Sequence, residues 1–352
     1  MPISFHMPKP HSTPRVTVII PVWNGAAWLA GCLEALAAQS FRDFAVIVVD
    51  NGSTDDSRAL AARLAPQAAS IAWDRNRGFA AAVNAGIRAS RTEYAALLNV
   101  DTRPRPDWLA NLVQAMDESA PDVGGLASKM LSMEDPTTID DCGDSLSWQG
   151  AAAKRGHGRS AAEFEKGAEI FSPCAGAALY RKSFLDELGG FDERFFAYLE
   201  DVDLGLRGRL RGYRHGFVPT AEVLHQGHGS GLPQGRYVRL VTRNRILLLL
   251  KNLPARLLIR HAASLLYGQI YFFIAYRRPW SALAGFFSVL PLLPHIVRER
   301  RRIQRNLKLT PAQVEQLLAP TMNEPPLREL ARRWWRRRMQ NEKCKMRNEE
   351  TS

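Results

Sequence analysis

Cysteine is scarce in this 352-residue chain: Cys32, Cys142, Cys174 and Cys344 stand far apart, with no CxxC spacing. That argues against a disulfide scaffold and a structural zinc site, and it fits a reduced compartment. The first fifteen residues lack the apolar stretch of a secretory signal, so none is expected. No uninterrupted apolar run reaches the roughly 18 residues of a membrane-spanning helix, and there are no internal repeats. Acidic residues are rare only in the back of the chain. Residues 232–352 hold 24 Lys+Arg against 7 Asp+Glu, a net of +17, whereas residues 1–231 are at −5. A surplus confined to one segment points to an anionic surface, membrane or nucleic acid, touched by that segment alone. With 46% apolar and 23% charged residues, the composition is that of an ordered chain with a sizeable core.

The front half alternates strand and helix. VTVIIPVW (Val16 to Trp23) and FAVIVVD (Phe44 to Asp50) are β-branched runs of the kind buried on both faces. Between them Leu29, Cys32, Leu33 and Leu36 recur at helical spacing. NGSTDDS then opens a helix, with Ser53 or Thr54 as cap and Asp55 and Asp56 at its positive end. A short segment at Ile71 to Trp73 precedes a helix from about Phe79 to Ala89. YAALLN (Tyr94 to Asn99) is the third clear strand, and Pro106 opens a helix with Trp108, Leu109, Leu112 and Val113 on one side. This alternation predicts a mostly parallel sheet flanked by helices, with the ligand beyond the carboxyl ends of its strands. Those ends carry Trp23-Asn24, Asp50-Asn51-Gly52-Ser53 and Asn99-Val100-Asp101, all polar. From about Leu126 to Glu169 the pattern loosens into Gly- and Ser-rich sequence, which reads as a mobile loop over the crevice.

Behind Pro233 the chain becomes basic and apolar together. RLVTRNRILLLLKN is followed by two apolar windows, Leu265 to Tyr276 and Ser281 to Val297, with Pro291 and Pro294 in the second and arginines on both flanks. That pattern suits helices lying in a lipid headgroup region, with a re-entrant hairpin as the alternative. Thr310 and Pro311 form a helix start, and the chain closes on RRWWRRR (Arg332 to Arg338).

Four motifs in order, PVWN with VVDNGSTDDS, NRGFAAAVNAGI, LLNVDT, and AGAALYRKSFLDELGGFDERFFAYLEDVDLGLR, resemble a family 2 glycosyltransferase, in particular its rhamnosyltransferase-like branch. The likeness covers about residues 16–230. It implies the GT-A nucleotide-diphospho-sugar transferase fold and inverting transfer of a sugar, rhamnose being one option, from a nucleotide-diphosphate donor to a saccharide or lipid-linked acceptor hydroxyl. It marks out a GT-A domain 15–231, while composition sets off a disordered segment 1–14, a membrane-associating helical region 232–308 and a basic tail 309–352. The expected lack of a signal and the basic, apolar back of the chain put it on the cytoplasmic side of the cell membrane, peripheral or monotopic.

Carried onto this sequence, the resemblance assigns Pro21, Trp23, Asn24, Asp50, Asn51, Ser53, Arg77, Gly78 and Asn99 to the donor. Asp50 contacts the nucleotide base or ribose, or else caps its own turn through an Asx bond. Arg77-Gly78 brings a helix start to a phosphate or ribose, or is simply close packing. Asn99-Val100-Asp101 stands where the family has Asp-x-Asp. The amide in first place leaves Asp101 as the ligand of a divalent cation, Mg²⁺ or Mn²⁺, on the diphosphate, with His225 as a further ligand and His228 the alternative to it. Adjacent carboxylates on a helix point about 100° apart, so Glu200 and Asp201 divide their tasks, Asp201 being the base. Asp203 and Arg207 read as a structural ion pair. Gly176, Ala177 and Tyr198 form the acceptor side, while Trp23, Phe195 and Tyr198 stack on sugar or pack the core. The scheme requires Asp101 and Asp201 to face one cavity. The competing readings are a non-catalytic relative, motivated by Asn99, and a nucleotide- or nucleic-acid-binding protein; the apolar windows between Leu265 and Val297 have no purpose in a nucleic-acid groove.

Overall fold

The computed structural model describes residues 13–227, 231–330 and 332. Most of the amino-terminal segment, His228 and the tail from residue 333, with the RRWWRRR tryptophans, lie outside the described residues.

The first half follows the alternation. Strands β1 (Val16–Val22), β2 (Phe44–Asp50), β3 (Ala69–Ala72) and β4 (Tyr94–Leu98) alternate with helices α1 (Ala26–Ala37), α2 (Ser57–Leu64) and α3 (Phe79–Ala89). A short β5 (Thr102–Pro104) then leads into α4 (Trp108–Asp117). The β-branched side chains of β1 and β2 are buried because helices cover both faces, and α1 buries Leu29, Cys32, Leu33 and Leu36 as its spacing predicts.

The stretch read as a loop carries several strands. It holds β6 (Val123–Ser132), β7 (Ile139–Asp141), the hairpin β8 (Asp144–Leu146) and β9 (Ala152–Lys154), and β10 (Ala168–Ile170). Just ahead of that stretch, two glycines of β6 make room for rings. A Cβ on Gly124 would stand 2.4 Å from Phe184, and one on Gly125 2.7 Å from Tyr180. Then follow β11 (Ala177–Arg181), α5 (Lys182–Leu188), α6 (Glu200–Leu210) and β12 (Arg214–His225). The sheet order is β10-β12-β6-β11-β4-β1-β2-β3, with β7 on β6 and β5 on β12. β4, β1, β2 and β3 pair in parallel, as do β6 and β12; β11 and β10 run antiparallel to their neighbours.

The back of the chain is helical: α7 (Gln234–Asn252), α8 (Ala255–Arg260), α9 (Ala262–Ala275), α10 (Pro279–Phe287), α11 (Leu293–Arg305) and α12 (Pro311–Leu317), the last capped by Thr310. α7 belongs to the core. Its Leu247, Leu248 and Leu249 join Phe195, Val202, Leu206 and Leu210 in one buried cluster, and each such leucine contributes about 1.5–3 kcal/mol. Asp203, read as half of an ion pair, binds Arg207 at 2.8 Å and also takes Lys251 and Asn252 from α7, all buried. Among the described residues, every large apolar side chain left exposed lies between Leu250 and Val297. Residues 279–305 make one helical stretch that bends through a 3₁₀ turn at Leu290–Leu292, and its most apolar window has a mean hydropathy of 1.6. That stretch is long and apolar enough to cross a membrane, although no uninterrupted run in the sequence is.

Candidate active site

The carboxyl ends of β1, β2 and β4 enclose a cavity of about 150 Å³, lined by Pro21, Trp23, Asn51, Asn76, Asn99 and Asp101 among others. Asn51 is fixed there: its Oδ1 accepts from the Arg77 amide at 2.8 Å, and its Nδ2 donates to the Gly78 carbonyl at 3.1 Å. Asp50 is not on the cavity wall. It is buried, one oxygen taking Arg58 Nε at 2.8 Å and the other the Ser53 amide at 3.1 Å, so the Asx-type bond is formed. Asn24 and Ser53 tie the β1 and β2 ends together, with Asn24 Oδ1 accepting from the Thr54 amide and Ser53 Oγ from the Asn24 amide. The Arg77 guanidinium lies over the Trp73 ring, 4.6 Å from its centre. Gly78 has φ +96° and lies so close to Phe196 that a Cβ would come 2.5 Å from its carbonyl oxygen, so close packing explains this glycine.

Asp101 leads from this cavity into a chain of charges. His225 at the end of β12 holds Nε2 3.5 Å from Asp101 Oδ2 and Nδ1 2.8 Å from Asp140 Oδ2. Asp140 in turn takes Lys154 at 2.9 Å. Burial works to lower the imidazole's pKa, but the hydrogen bonds and charges of Asp101 and Asp140 outweigh it and raise it to about 9. Burial pushes the Asp140 carboxyl up, yet His225 and Lys154 hold it well below the ordinary carboxylate range. Among the described residues no three His, Cys, Asp or Glu side chains converge as a ready metal site. Two do meet here, with the imidazole's second nitrogen held by a carboxylate, an arrangement that orients a histidine toward a cation. A hard cation that keeps several waters or phosphate oxygens needs no more protein ligands than that. Asp101 and His225 therefore fit a divalent metal that draws its remaining ligands from outside the protein.

A second, larger cavity of about 500 Å³ lies between the α6 start, the β8–β9 hairpin and the helices α7 and α9; Asp141, Asp144, Glu200 and Asp201 stand on its wall. Asp201 is held by two amides: Oδ1 accepts from Val202 at 2.8 Å and Oδ2 from Ala175 at 3.2 Å. Burial raises its pKa, and the two amides limit the rise. Glu200 is raised much further, by burial and by Asp201 beside it, and its Oε2 has no partner. The two adjacent acids thus differ: Asp201 is fixed by two amides, whereas burial and its neighbour disfavour the ionised form of Glu200 more strongly. Burial also pushes Asp141 up to about 6 and Asp144 well above the usual range.

Asp101 and Asp201 line different cavities, so the requirement that they share one is not met. Their common wall is the segment 196–199: Phe196 and Ala197 face the strand-end cavity, Tyr198 and Leu199 the larger one. The reason is local. Phe196, Tyr198 and Leu199 all have φ near +70°, a costly conformation for such residues, and α7 clamps it. Asn244 Nδ2 donates to the carbonyls of Phe195, Ala197 and Tyr198 at 2.8–2.9 Å, and Arg243 adds a bond to Phe195 at 2.7 Å. The second link across the wall is the charge chain itself, from Asp101 in one cavity to Lys154 in the other.

Gly176 and Ala177 line neither cavity. Gly176 accepts from the Asn99 amide at 2.8 Å, Ala177 is buried in β11, and Cys174 stands on the larger cavity's wall in their place. Tyr198 does face that cavity, edge-on to Tyr237, while Phe195 is core. Sequence reasoning passed over Asp140, Asp141, Asp144 and Lys154, although IDDCGD was an acidic run inside the supposed loop, and over Asn244 and Arg245 in RNR, which bond Tyr198 and Gly150, more than 40 residues away.

Residues 17–189 match Glycosyl transferase family 2. The O-antigen biosynthesis protein RfbC of Myxococcus xanthus is 27% identical over 67% of this chain, which spans only 20% of that relative's length. The N-acetylglucosaminyl-diphospho-decaprenol L-rhamnosyltransferase of Mycobacterium tuberculosis is 28% identical over 62% of this chain and 78% of its own. Among solved structures, GalNAc-T7 with UDP, GalNAc and Mn²⁺ superposes with a TM-score of 0.60 at 13% identity, over 87% of this chain and 56% of that one. The sheet order, the polar strand ends and these likenesses agree: the chain belongs to glycosyltransferase family 2 and has the GT-A fold.

Proposed function

We propose that this chain is an inverting glycosyltransferase that moves a sugar from a nucleotide-diphosphate donor to a hydroxyl of a saccharide or lipid-linked glycan. The strand-end cavity takes the donor and the larger cavity the acceptor. Asp201 removes the proton of the acceptor hydroxyl; that oxygen forms the new bond to the anomeric carbon as the bond to the diphosphate breaks on the opposite face, and the proton remains on the carboxylate. The observation that carries this reading is Asp201 itself: a carboxylate fixed by two amides, with a raised pKa, on a cavity one loop away from Asp101. A base whose pKa lies closer to the working pH is the more effective one. A divalent cation on Asp101 and His225 would compensate the charge of the leaving diphosphate. The wall at 196–199 has to shift for oxygen and anomeric carbon to meet, and its strained backbone makes it the part of the site suited to do so.

Rhamnose is the sugar favoured by the Mycobacterium tuberculosis relative's name, and the exposed apolar side chains behind Leu250 favour attachment to the cytoplasmic face of a membrane. The test is a thermal-shift and transfer screen of nucleotide-diphosphate sugars with and without Mn²⁺. A donor at a hundred times its Kd should stabilise the protein by about 2.7 kcal/mol. If no nucleotide sugar shifts melting and none is consumed in the presence of membrane lipid extract, the reading fails.

A further inference from the structure

The larger cavity has a feature that the proposed chemistry does not use. Opposite the acids of this cavity, α7 and α9 supply an aromatic lining, Tyr237, Tyr271, Phe272 and Tyr276, and within it, among the described residues, a single arginine, Arg245. Its side chain is 97% buried, its relative exposure being 3%. Nε donates to the Gly150 carbonyl at 3.1 Å, Nη2 to the Tyr276 hydroxyl at 3.2 Å, and the guanidinium lies 3.7 Å over the Phe272 ring. Nη1 has no partner among the described residues. Among the described residues no salt bridge reaches this guanidinium, although Glu324 stands on the same cavity wall and its charge bears on it. A buried, unpaired cation with an unused donor costs several kcal/mol, and a folded chain keeps one where an anion completes it.

We infer that Arg245 is the binding site for a phosphate ester of the acceptor, so that the preferred acceptor is a sugar joined through phosphate to a lipid. This rests on the reading of the larger cavity as the acceptor site. Arginine suits the task because its planar fork matches phosphate oxygens and its face stacks on a ring. The same helix supports the lipid. The α9 residues Tyr271, Phe272 and Ala275 line the cavity, while Leu266, Ile270 and Ile274, on the opposite face, stay exposed. A sugar at Asp201, a phosphate at Arg245 and an alkyl chain leaving along α9 then follow the order of an amphiphilic acceptor.

The probes are farnesyl monophosphate, farnesol and inorganic phosphate, titrated calorimetrically into the full chain in detergent solution. Farnesyl monophosphate should bind, inorganic phosphate far more weakly, and Arg245→Gln should weaken farnesyl monophosphate about 10- to 100-fold while leaving farnesol unchanged; Arg245→Lys should recover part of the loss. Equal affinity of wild type and Arg245→Gln for farnesyl monophosphate overturns the inference, as does an equal loss for farnesol. Inorganic phosphate binding as tightly as the lipid ester through Arg245 overturns the lipid part. Because Arg245→Gln risks misfolding, a photoreactive farnesyl phosphate on the wild-type chain gives a second measurement. Cross-links within 237–245 and 271–276 support the site, and cross-links confined to 21–23 and 99–101 refute it. Asp201→Asn separates this claim from its parent: full transfer by that variant removes the base and leaves an Arg245-dependent phosphate site standing.

Discussion

On the proposed reading, replacing Asp201 by Asn deletes a base and little else, which makes its consequences calculable. The carboxylate accepts from the Val202 and Ala175 amides on different oxygens. Asparagine offers one acceptor, so one of the two amides must face an NH₂ group, a loss of about 1 kcal/mol. Removing a buried charge whose pKa is raised by desolvation offsets part of that, so the variant should melt within a few degrees of wild type. Donor affinity should change less than about twofold, because the groups facing the donor lie in the neighbouring cavity and Arg58, Ser53, Arg77 and Thr54 hold that wall together independently. Turnover at saturating donor and acceptor should fall by about 10²–10⁴-fold, equivalent to roughly 3–5 kcal/mol of barrier. The pH profile adds a sign. The base works ionised, so wild-type kcat/KM for the acceptor should rise with pH through a titration above the ordinary aspartate value of 3.8, and be lost as pH falls through it. The variant should be flat in that range. Turnover within threefold of wild type, or a loss of donor binding as large as the loss of turnover, refutes the assignment.

Asp140→Asn takes the orienting carboxylate from His225 and should weaken Mn²⁺ binding in the presence of a nucleoside diphosphate about 10- to 100-fold, measured by titration without turnover. Asp141 has its folded pKa raised to about 6 from 3.8, so the folded state binds its proton more tightly and stability is lost as pH rises from about 4 through 6. Asp141→Asn should therefore be the more stable protein at pH 7, by up to about 3 kcal/mol, with the difference vanishing near pH 4 in denaturant titrations. Exposed apolar side chains on α9 to α11 should govern membrane attachment: Leu266→Glu, Trp280→Glu and Phe287→Glu together should move the chain from the membrane to the soluble fraction without altering its melting temperature.

The parallel half of the fold is legible in the sequence because each element there announces itself locally: β-branched runs at Val16 and Phe44, helical spacing from Leu29, polar residues at the strand ends. β6 is not, because the glycines of VGGLASKM serve Tyr180 and Phe184, side chains more than 50 residues away. The site divides the same way. Asp101, His225, Glu200, Asp201 and Tyr198 stand on or beside cavities because motif position fixes them at strand and helix ends. Asp50, Gly176 and Ala177 do not, since whether a strand-end side chain turns to the cavity or to its own loop depends on what else competes for it, here Arg58 for Asp50. Nor does any spacing reveal that Asn244 holds the loop before α6, or that two cavities exist where the chemistry suggested one.

That division has a chemical logic. A base that strips a proton from an alcohol will also strip one from water, and a donor exposed to it is hydrolysed. Water exclusion is therefore part of what a transferase site must achieve. In this chain the wall 196–199 separates Asp201 from the strand-end cavity, which on the proposed reading holds the donor, and Asn244 fastens the wall by its carbonyls. Asn244→Ala leaves three carbonyls without that donor at a cost of about 1–3 kcal/mol, and it touches neither cavity directly. On the proposed reading the variant should release the strained backbone, raise donor hydrolysis relative to transfer several-fold and lower melting modestly. Product analysis that counts free sugar against glycosylated acceptor reads the ratio. An unchanged ratio in a variant of lower kcat means that the wall is scaffold, and that the two cavities must be joined by some other movement.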